Sequence, residues 1–370
     1  MSTLGSYRSR QKNGMLVTVE QFTNLAMFFQ VYNLEADEFI VWMQTNGLYL
    51  LEYTCETCQR PCSIRKVKGD CGYAFKCTSN KNHQLTLRHN SFFKLASFMP
   101  QDMLLFTRMY LAGTPQHQIS TDVGITKKSA GRWSGYIRNI MCHEVKDVLE
   151  THQLKGHIQI DESCFGHQKK YNRGTRNGKG VWLFGLRAKR VDAEGNLDAD
   201  DYDVLIFPVE KRDKATLLPI IQKYVEPGSF IYSDGWGAYE GLNALGYHHF
   251  TVLHKYSFTQ TYINMHNNHE MTINTNAIEG FWGHAKEHFR RIHGCNAAIF
   301  QSHLCEIMWR WWNRKVNVYG AFFDKLRELY PLEEAPLLSA QYPIFPENLC
   351  FTPMADEELI IEVPAEDDSD

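Results

Sequence analysis

Residues 157–291 constrain the fold most, because apolar runs of strand length alternate there with helical patterns and two of the runs stop at an acid. "HIQIDES" alternates apolar and polar side chains, and "VWLFGLRAKR" and "DVLIFPVE" follow as two more strands. "DKATLLPIIQKYV" has helical spacing, and "SFIYSD" is a short buried strand that ends at the turn "DGWGAY". A short helix, a strand near "HHFTVL", a loop through 255–274 and a helix from Asn276 complete the block. The order β-β-β-α-β-α-β-α predicts a mixed sheet flanked by helices, since each apolar face of a sheet must be covered. In this reading Asp161 ends the first strand and Asp234 ends the fourth.

The chain has 370 residues, enough for two or three domains. Its 44% hydrophobic and 13% aromatic content predicts a packed core and excludes a disordered chain. The pattern divides it into a helical region at 1–52, a cysteine-rich strand segment at 53–97 and a helical region at 98–150. The α/β block at 151–325 and an extension at 326–370 follow. Residues 15–52 read as helices, with "TVEQFTNLAMFFQVY" amphipathic. No run approaches the ~20 apolar residues of a membrane span, and "MSTLGSYRSRQKNG" lacks a signal-peptide core. An intracellular, soluble protein with no membrane partner is expected.

The formal net charge is −3, but the segment 356–370, "DEELIIEVPAEDDSD", carries eight acids and no base. The remainder is therefore at +5, with basic groups gathered in "HQKKYNRGTRNGKG" and "HAKEHFRRIHG". Lys169, Lys170, Arg173, Lys286 and Arg290 are candidate phosphate contacts within those stretches.

Five of the ten cysteines fall between Cys55 and Cys77. In a reducing compartment such clustering points to metal rather than disulfides. Cys55 and Cys58 have C-x2-C spacing, and Cys77 with His83 supplies a second half-site for a structural Zn²⁺. Cys71 is a rival fourth ligand and Cys62 a weaker one. Free thiols in a small core are the alternative. Upstream of the α/β block, "PQHQISTDVGITKKSAGRWSGYIRNIM" has helix-turn-helix cadence. Its first helix is expected near Gln116–Val123, with Gly124 at the left-handed turn and Thr126 as the next N-cap. The second helix would present Lys127, Lys128, Ser129, Arg132 and Trp133 near its start, side chains suited to DNA phosphates and base edges. An ordinary pair of core helices is the alternative.

The strand and helix order of the α/β block is that of the RNase H-like fold. There the last helix packs beside the ends of the strands that carry Asp161 and Asp234, and that helix carries Glu279. Three such carboxylates can hold two Mg²⁺ ions, which take oxygen ligands and keep positions open for water and phosphate. Glu162 would point to the opposite face of its strand, so Asp161 is the preferred ligand. Glu279, Trp282 and Lys286 share one helix face, with Trp282 expected to pack on the core.

"IQIDESCFGHQKKYNRGTRNGKGVWLFG", "YSDGWGAY", "VLHKYSF", "TNAIEGFWGHAK" and "LCEIMWRWWNR" together resemble the Merlin superfamily of DDE transposases and related bacterial insertion-sequence transposases. The upstream cysteine segment also looks like that family's zinc ribbon, and the resemblance covers about residues 50–315. It implies a catalytic triad of Asp161, Asp234 and Glu279 with Mg²⁺ or Mn²⁺. It also implies cleavage at terminal inverted repeats and strand transfer to target DNA. DNA is the implied partner, a dimer or larger assembly joins two ends, and the location is the nucleus in a eukaryote or the cytoplasm otherwise. His254 matches the His of the family's V-N-H-S motif, but Leu253 stands in place of its Asn, and Asn274 replaces a His before the I-E pair. The alternatives are a domesticated DNA-binding protein without transposition and a structure-selective nuclease.

Overall fold

A computed structural model describes residues 17–22, 24–69, 72–96, 98–165, 180–191, 197–252, 260–264, 269–295, 297–334 and 336–338. The first elements are α1 (Leu25–Tyr32), α2 (Ala36–Thr45), β1 (Cys62–Lys66), β2 (Tyr73–Cys77) and β3 (Gln84–Thr86). Then come α3 (Pro100–Leu111), α4 (Gln116–Val123) and α5 (Lys127–Thr151). The α/β block holds β4 (His157–Phe165), β5 (Val181–Val191), β6 (Leu197–Val209), α6 (Lys214–Tyr224), β7 (Phe230–Ser233) and β8 (His248–Thr251). Last are β9 (Gln260–Asn264), β10 (His269–Ile273), α7 (Asn276–Arg291), α8 (Ala297–Trp312) and α9 (Val318–Leu329). None of the helices among the described residues is long and apolar enough to cross a membrane.

The chain divides into two compact units. Among the described residues, one takes those up to Met141 and those from Asn313 onward, and the other takes Cys142–Trp312. In the first unit the leading helix starts at Leu25, later than its apolar pattern predicts. Asn24 stops it there, its side chain accepting the Met27 N–H at 3.0 Å, and Val19–Gln21 forms a 3-10 turn instead. Phe22 stacks on Trp42 with centroids 5.6 Å apart, so this turn supplies core rather than surface. The far end of the chain reaches the same place, where Arg327 on α9 donates to the Glu20 carboxylate at 2.7 Å. β1, β2 and β3 form an antiparallel sheet in which Cys62 faces Cys77.

Between α4 and α5, Gly124 has φ +72, a conformation that favours glycine. The Thr126 hydroxyl accepts the Ser129 N–H at 3.1 Å and caps α5. Trp133 departs from expectation. It is buried and edge-on to the rings of Phe92 and Phe98, so it is core rather than a DNA-facing side chain.

In the second unit five strands form one mixed sheet in the order β6-β5-β4-β7-β8. β6, β5 and β4 pair antiparallel, while β4, β7 and β8 run parallel. Helices α7 and α8 pack on the sheet, α7 against β4 and β5 and α8 against β6.

Three local expectations change. β4 does not stop at Asp161 but continues to Phe165, because β5 pairs with it along its whole length. The expected loop through 255–274 contains the β9–β10 antiparallel hairpin. "QTYIN" and "HEMTI" lack a continuous apolar face, which is the signal that strand reading depends on. The expected short helix after Tyr239 is instead a pair of 3-10 turns, Gly237–Tyr239 and Asn243–Leu245. Gly241 and Gly246, with φ +103 and +88, break any longer helix there.

Candidate active site and metal centre

The parallel register places the two aspartates side by side. Gln159 of β4 is paired with Tyr232 of β7, and Asp161 and Asp234 each lie two residues further on. What ends at Asp161 is therefore its neighbour's strand. β7 stops at Ser233, and among the described residues no strand pairs with that flank of β4 beyond it. Asp234 begins the following turn, its Oδ1 accepting the Trp236 N–H at 3.0 Å. This is the carboxyl-terminal edge of parallel strands, where open α/β sheets place their ligands.

Glu279 lies in the first turn of α7, and three contacts fix where that turn sits. Gln159, on the same face of β4 as Asp161, accepts the Ile278 N–H through Oε1 at 2.9 Å. Its amide donates to the Asn274 carbonyl at 2.8 Å. Trp282, one turn along, donates from Nε1 to Asp161 Oδ2 at 3.0 Å. Gly185, opposite Asp161 on β5, makes room for that indole, since a Cβ there would stand 2.6 Å from Trp282 Cζ2. The Glu279 carboxylate accepts from the Thr275 hydroxyl at 3.0 Å and is exposed.

Gln159 and Gly185 carry no sequence signal of chemistry, although strand alternation from Asp161 puts Gln159 on its face. Trp282 is core, as expected, and it also orients a carboxylate. Trp282→Phe keeps the packing and loses the hydrogen bond that opposes the raised Asp161 pKa, so Asp161 should titrate still higher with the melting temperature little changed. Gly185→Ala should cost about 1–3 kcal/mol through overpacking and displace Trp282, measured by urea unfolding.

Burial raises the Asp161 carboxyl to about 7. The Trp282 bond opposes this, and the nearby Glu162 and Asp234 charges reinforce it. Glu162 is on the other face of the strand, where the Tyr239 hydroxyl donates to it at 2.6 Å. Burial raises its pKa too. A buried carboxyl with so raised a pKa beside a second acid marks a candidate functional site. Asp161, Asp234 and Glu279 are not one of the groups, among the described residues, whose ligand atoms all lie within 4.8 Å of one another.

A family model for the ISXO2-like transposase domain matches residues 153–312, the span of the mixed sheet and its two covering helices. An uncharacterized transposase-like protein of Haemophilus influenzae is 34% identical over 116 residues, which is 31% of this chain and 84% of that protein. The chain belongs to the ISXO2-like transposase family.

Outside its matched domain, this transposase family member has a Cys–His cluster in the first unit. Cys55, Cys58, Cys77 and His83 bring four ligand atoms within 4.8 Å of one another. His83 Nδ1 lies 3.5 Å from Cys55 Sγ and 3.3 Å from Cys58 Sγ, near the edge lengths of a tetrahedral sulfur and nitrogen set. Two short turns deliver the ligands, with Gln59 at φ +49 closing the Cys55–Cys58 loop. Backbone N–H groups of Asn80 and, more weakly, Ser79 hold the Cys77 thiol below its usual range, against burial. The Asn80 side-chain amide sits 3.1 Å from His83 Nε2 and orients the ring. Cys62 is half-buried beside the set, and Cys71 lies outside the described residues.

Of the candidate DNA contacts, Lys127, Lys128 and Arg132 are exposed on the first turns of α5. On α7, Lys286 is half-buried with Nζ 6.0 Å from the Phe165 ring centre, and Arg290 lies 3.3 Å from Glu287. Lys169, Lys170, Arg173, Leu253, His254 and the acidic segment 356–370 lie outside the described residues.

Proposed function

We propose that the chain is a DDE transposase of the cut-and-paste type, Merlin-like in its motifs, that binds terminal inverted repeats and cuts and joins DNA. The observation that carries this reading is the position of Asp161 and Asp234 at neighbouring parallel strands beneath the helix that bears Glu279. Asp161, Asp234 and Glu279 would hold Mg²⁺ or Mn²⁺, which supplies Lewis acidity at the attacking and leaving oxygens. Water attacks the phosphodiester at the element's end, the P–O bond to the 3′ oxygen breaks, and a 3′-hydroxyl is released. That hydroxyl then attacks a target phosphate, forming one P–O bond while another breaks.

The chain's own residues set the geometry of these steps. Trp282 holds the Asp161 carboxylate in one orientation, and Gln159 holds the first turn of α7 against β4. The Asn274 side-chain Oδ1, which replaces the family's His, also accepts from Gln159 Nε2 at 3.3 Å. Residues 151–325 would carry the catalysis. Residues 53–97 would form a ribbon holding Zn²⁺ on Cys55, Cys58, Cys77 and His83, and 98–150 would read DNA through Lys127, Lys128 and Arg132. Lys169, Lys170, Arg173, Lys286 and Arg290 would meet DNA phosphates near the cut. Joining two ends calls for a dimer or larger assembly, acting in the nucleus of a eukaryote or in the cytoplasm otherwise.

The deciding experiment incubates the protein with Mg²⁺ and the DNA that flanks its gene, and compares wild type with Asp161→Ala. Cutting at inverted repeats followed by joining, absent in the variant, is the expected result. Binding without cutting in Mg²⁺ and Mn²⁺ alike would overturn the enzymatic reading. End binding should also weaken with salt. Alanine at Lys127, Lys128 and Arg132 together should flatten the log–log slope by roughly 2–3, at about 0.9 per phosphate contact. An unchanged slope would remove these residues from the interface.

A further inference from the structure

A second cluster of ligand atoms lies away from the carboxylates, where α7 meets α8. His288 Nε2, on α7, is 3.0 Å from His303 Nδ1, on α8. Glu306, one turn beyond His303, brings Oε2 to 3.4 Å from His303 Nδ1 and 3.8 Å from His288 Nε2. His288 and His303 are each 6% exposed and Glu306 3%, so water does not dilute the arrangement. We propose that His288, His303 and Glu306 form a binding site for a divalent transition-metal ion, Zn²⁺ by ligand type, that staples the two helices together.

The spacing suits an ion. His288 and His303 hydrogen-bond at 3.0 Å, Glu306 Oε2 stands 3.4 and 3.8 Å from the two nitrogens, and all three ligand atoms lie within 4.8 Å of one another. Metal–ligand bonds of about 2.0–2.2 Å in a tetrahedron give ligand separations of about 3.3 Å, and the three distances straddle that value. Two imidazoles and one carboxylate make a known donor set for such ions.

The supporting residues are in place. His303 and Glu306 are three residues apart on α8 and so share a face. Glu306 Oε1 accepts from Arg310 Nε at 2.8 Å, which turns Oε2 toward the histidines. Arg291 Nη2 lies 3.4 Å from His288 Nδ1. An ion on Nε2 would place the ring proton on Nδ1 and would replace this Arg291 contact. His288 is nine residues beyond Glu279, about 13.5 Å along the helix. The ion would therefore anchor the helix that carries the third acid without touching the reacting atoms. This inference does not rest on the proposed transposase chemistry.

The test measures zinc in the full-length chain after loading with Zn²⁺ and removal of excess, with Mg²⁺ in excess to occupy the carboxylates. About two zinc per chain are expected in wild type, falling to about one in His303→Asn. Cys55→Ser/Cys58→Ser should also retain about one. Cobalt in that cysteine variant should show visible ligand-field bands without thiolate charge transfer. X-ray absorption on wild type keeps the proposal falsifiable if a variant does not fold. Roughly three sulfurs to five nitrogen or oxygen atoms are expected across two ions. One zinc per chain with a sulfur-dominated shell, unaffected by His303→Asn, would overturn the site.

Discussion

Asp161→Asn is expected to abolish strand cleavage and, in the same protein, to stabilise the metal-free fold above about pH 7. The two effects have one origin. Burial raises the Asp161 carboxyl from its ordinary 3.8 to about 7, so the folded state prefers the neutral form. A group raised in this way contributes stability that is complete below about pH 4 and lost as pH rises through 7. Asparagine is neutral throughout and keeps an oxygen for the Trp282 indole, so it avoids that loss. Melting curves of the two proteins should coincide at low pH and separate as pH rises, with the variant higher. Mg²⁺ should raise wild type and leave the variant where it is. A variant that cuts DNA like wild type would remove Asp161 from the catalytic set. A melting difference that ignores pH would mean that the carboxyl is not buried as described.

Removing metal from Cys55, Cys58, Cys77 and His83 is expected to unfold the segment between β1 and β3 while the mixed sheet survives. Structural zinc contributes on the order of 10–16 kcal/mol in small zinc modules. Against that stand strands of only five, five and three residues. A sheet of that size has little apolar area of its own. Cys58→Ser should therefore expose residues 53–97 to protease, and binding to DNA ends should fall with it. The fragment 142–312 should stay resistant, since it is a compact unit with its own buried core of Ile158, Ile160, Leu183, Leu186, Leu205 and Phe207. A protease pattern identical to wild type would show that the cysteines hold no structural ion.

The sequence by itself determined β4 to β8, α6 and α7 in the α/β block, because burial imposes periods of two and 3.6 on apolar residues. It also marked Asp161 and Asp234 as candidates, since a carboxylate at an apolar run is costly and therefore conspicuous. The small sheet and the turn at Gly124 follow from short-range chemistry of the same kind. The hairpin β9–β10 was not legible, because "QTYIN" and "HEMTI" carry no continuous apolar run in the sequence.

What tertiary structure decided was adjacency. Asp161 lies beside Asp234 only because β4 and β7 pair in parallel in one register, which the run "HIQIDES" does not express. Gln159 matters because α7 lands on it, and Gly185 because an indole needs the space where a Cβ would be. His288, His303 and Glu306 meet because two amphipathic helices cover one sheet and turn those residues inward toward each other. Local periodicity records which face of an element is buried, and only packing determines which residue of another element it is buried against.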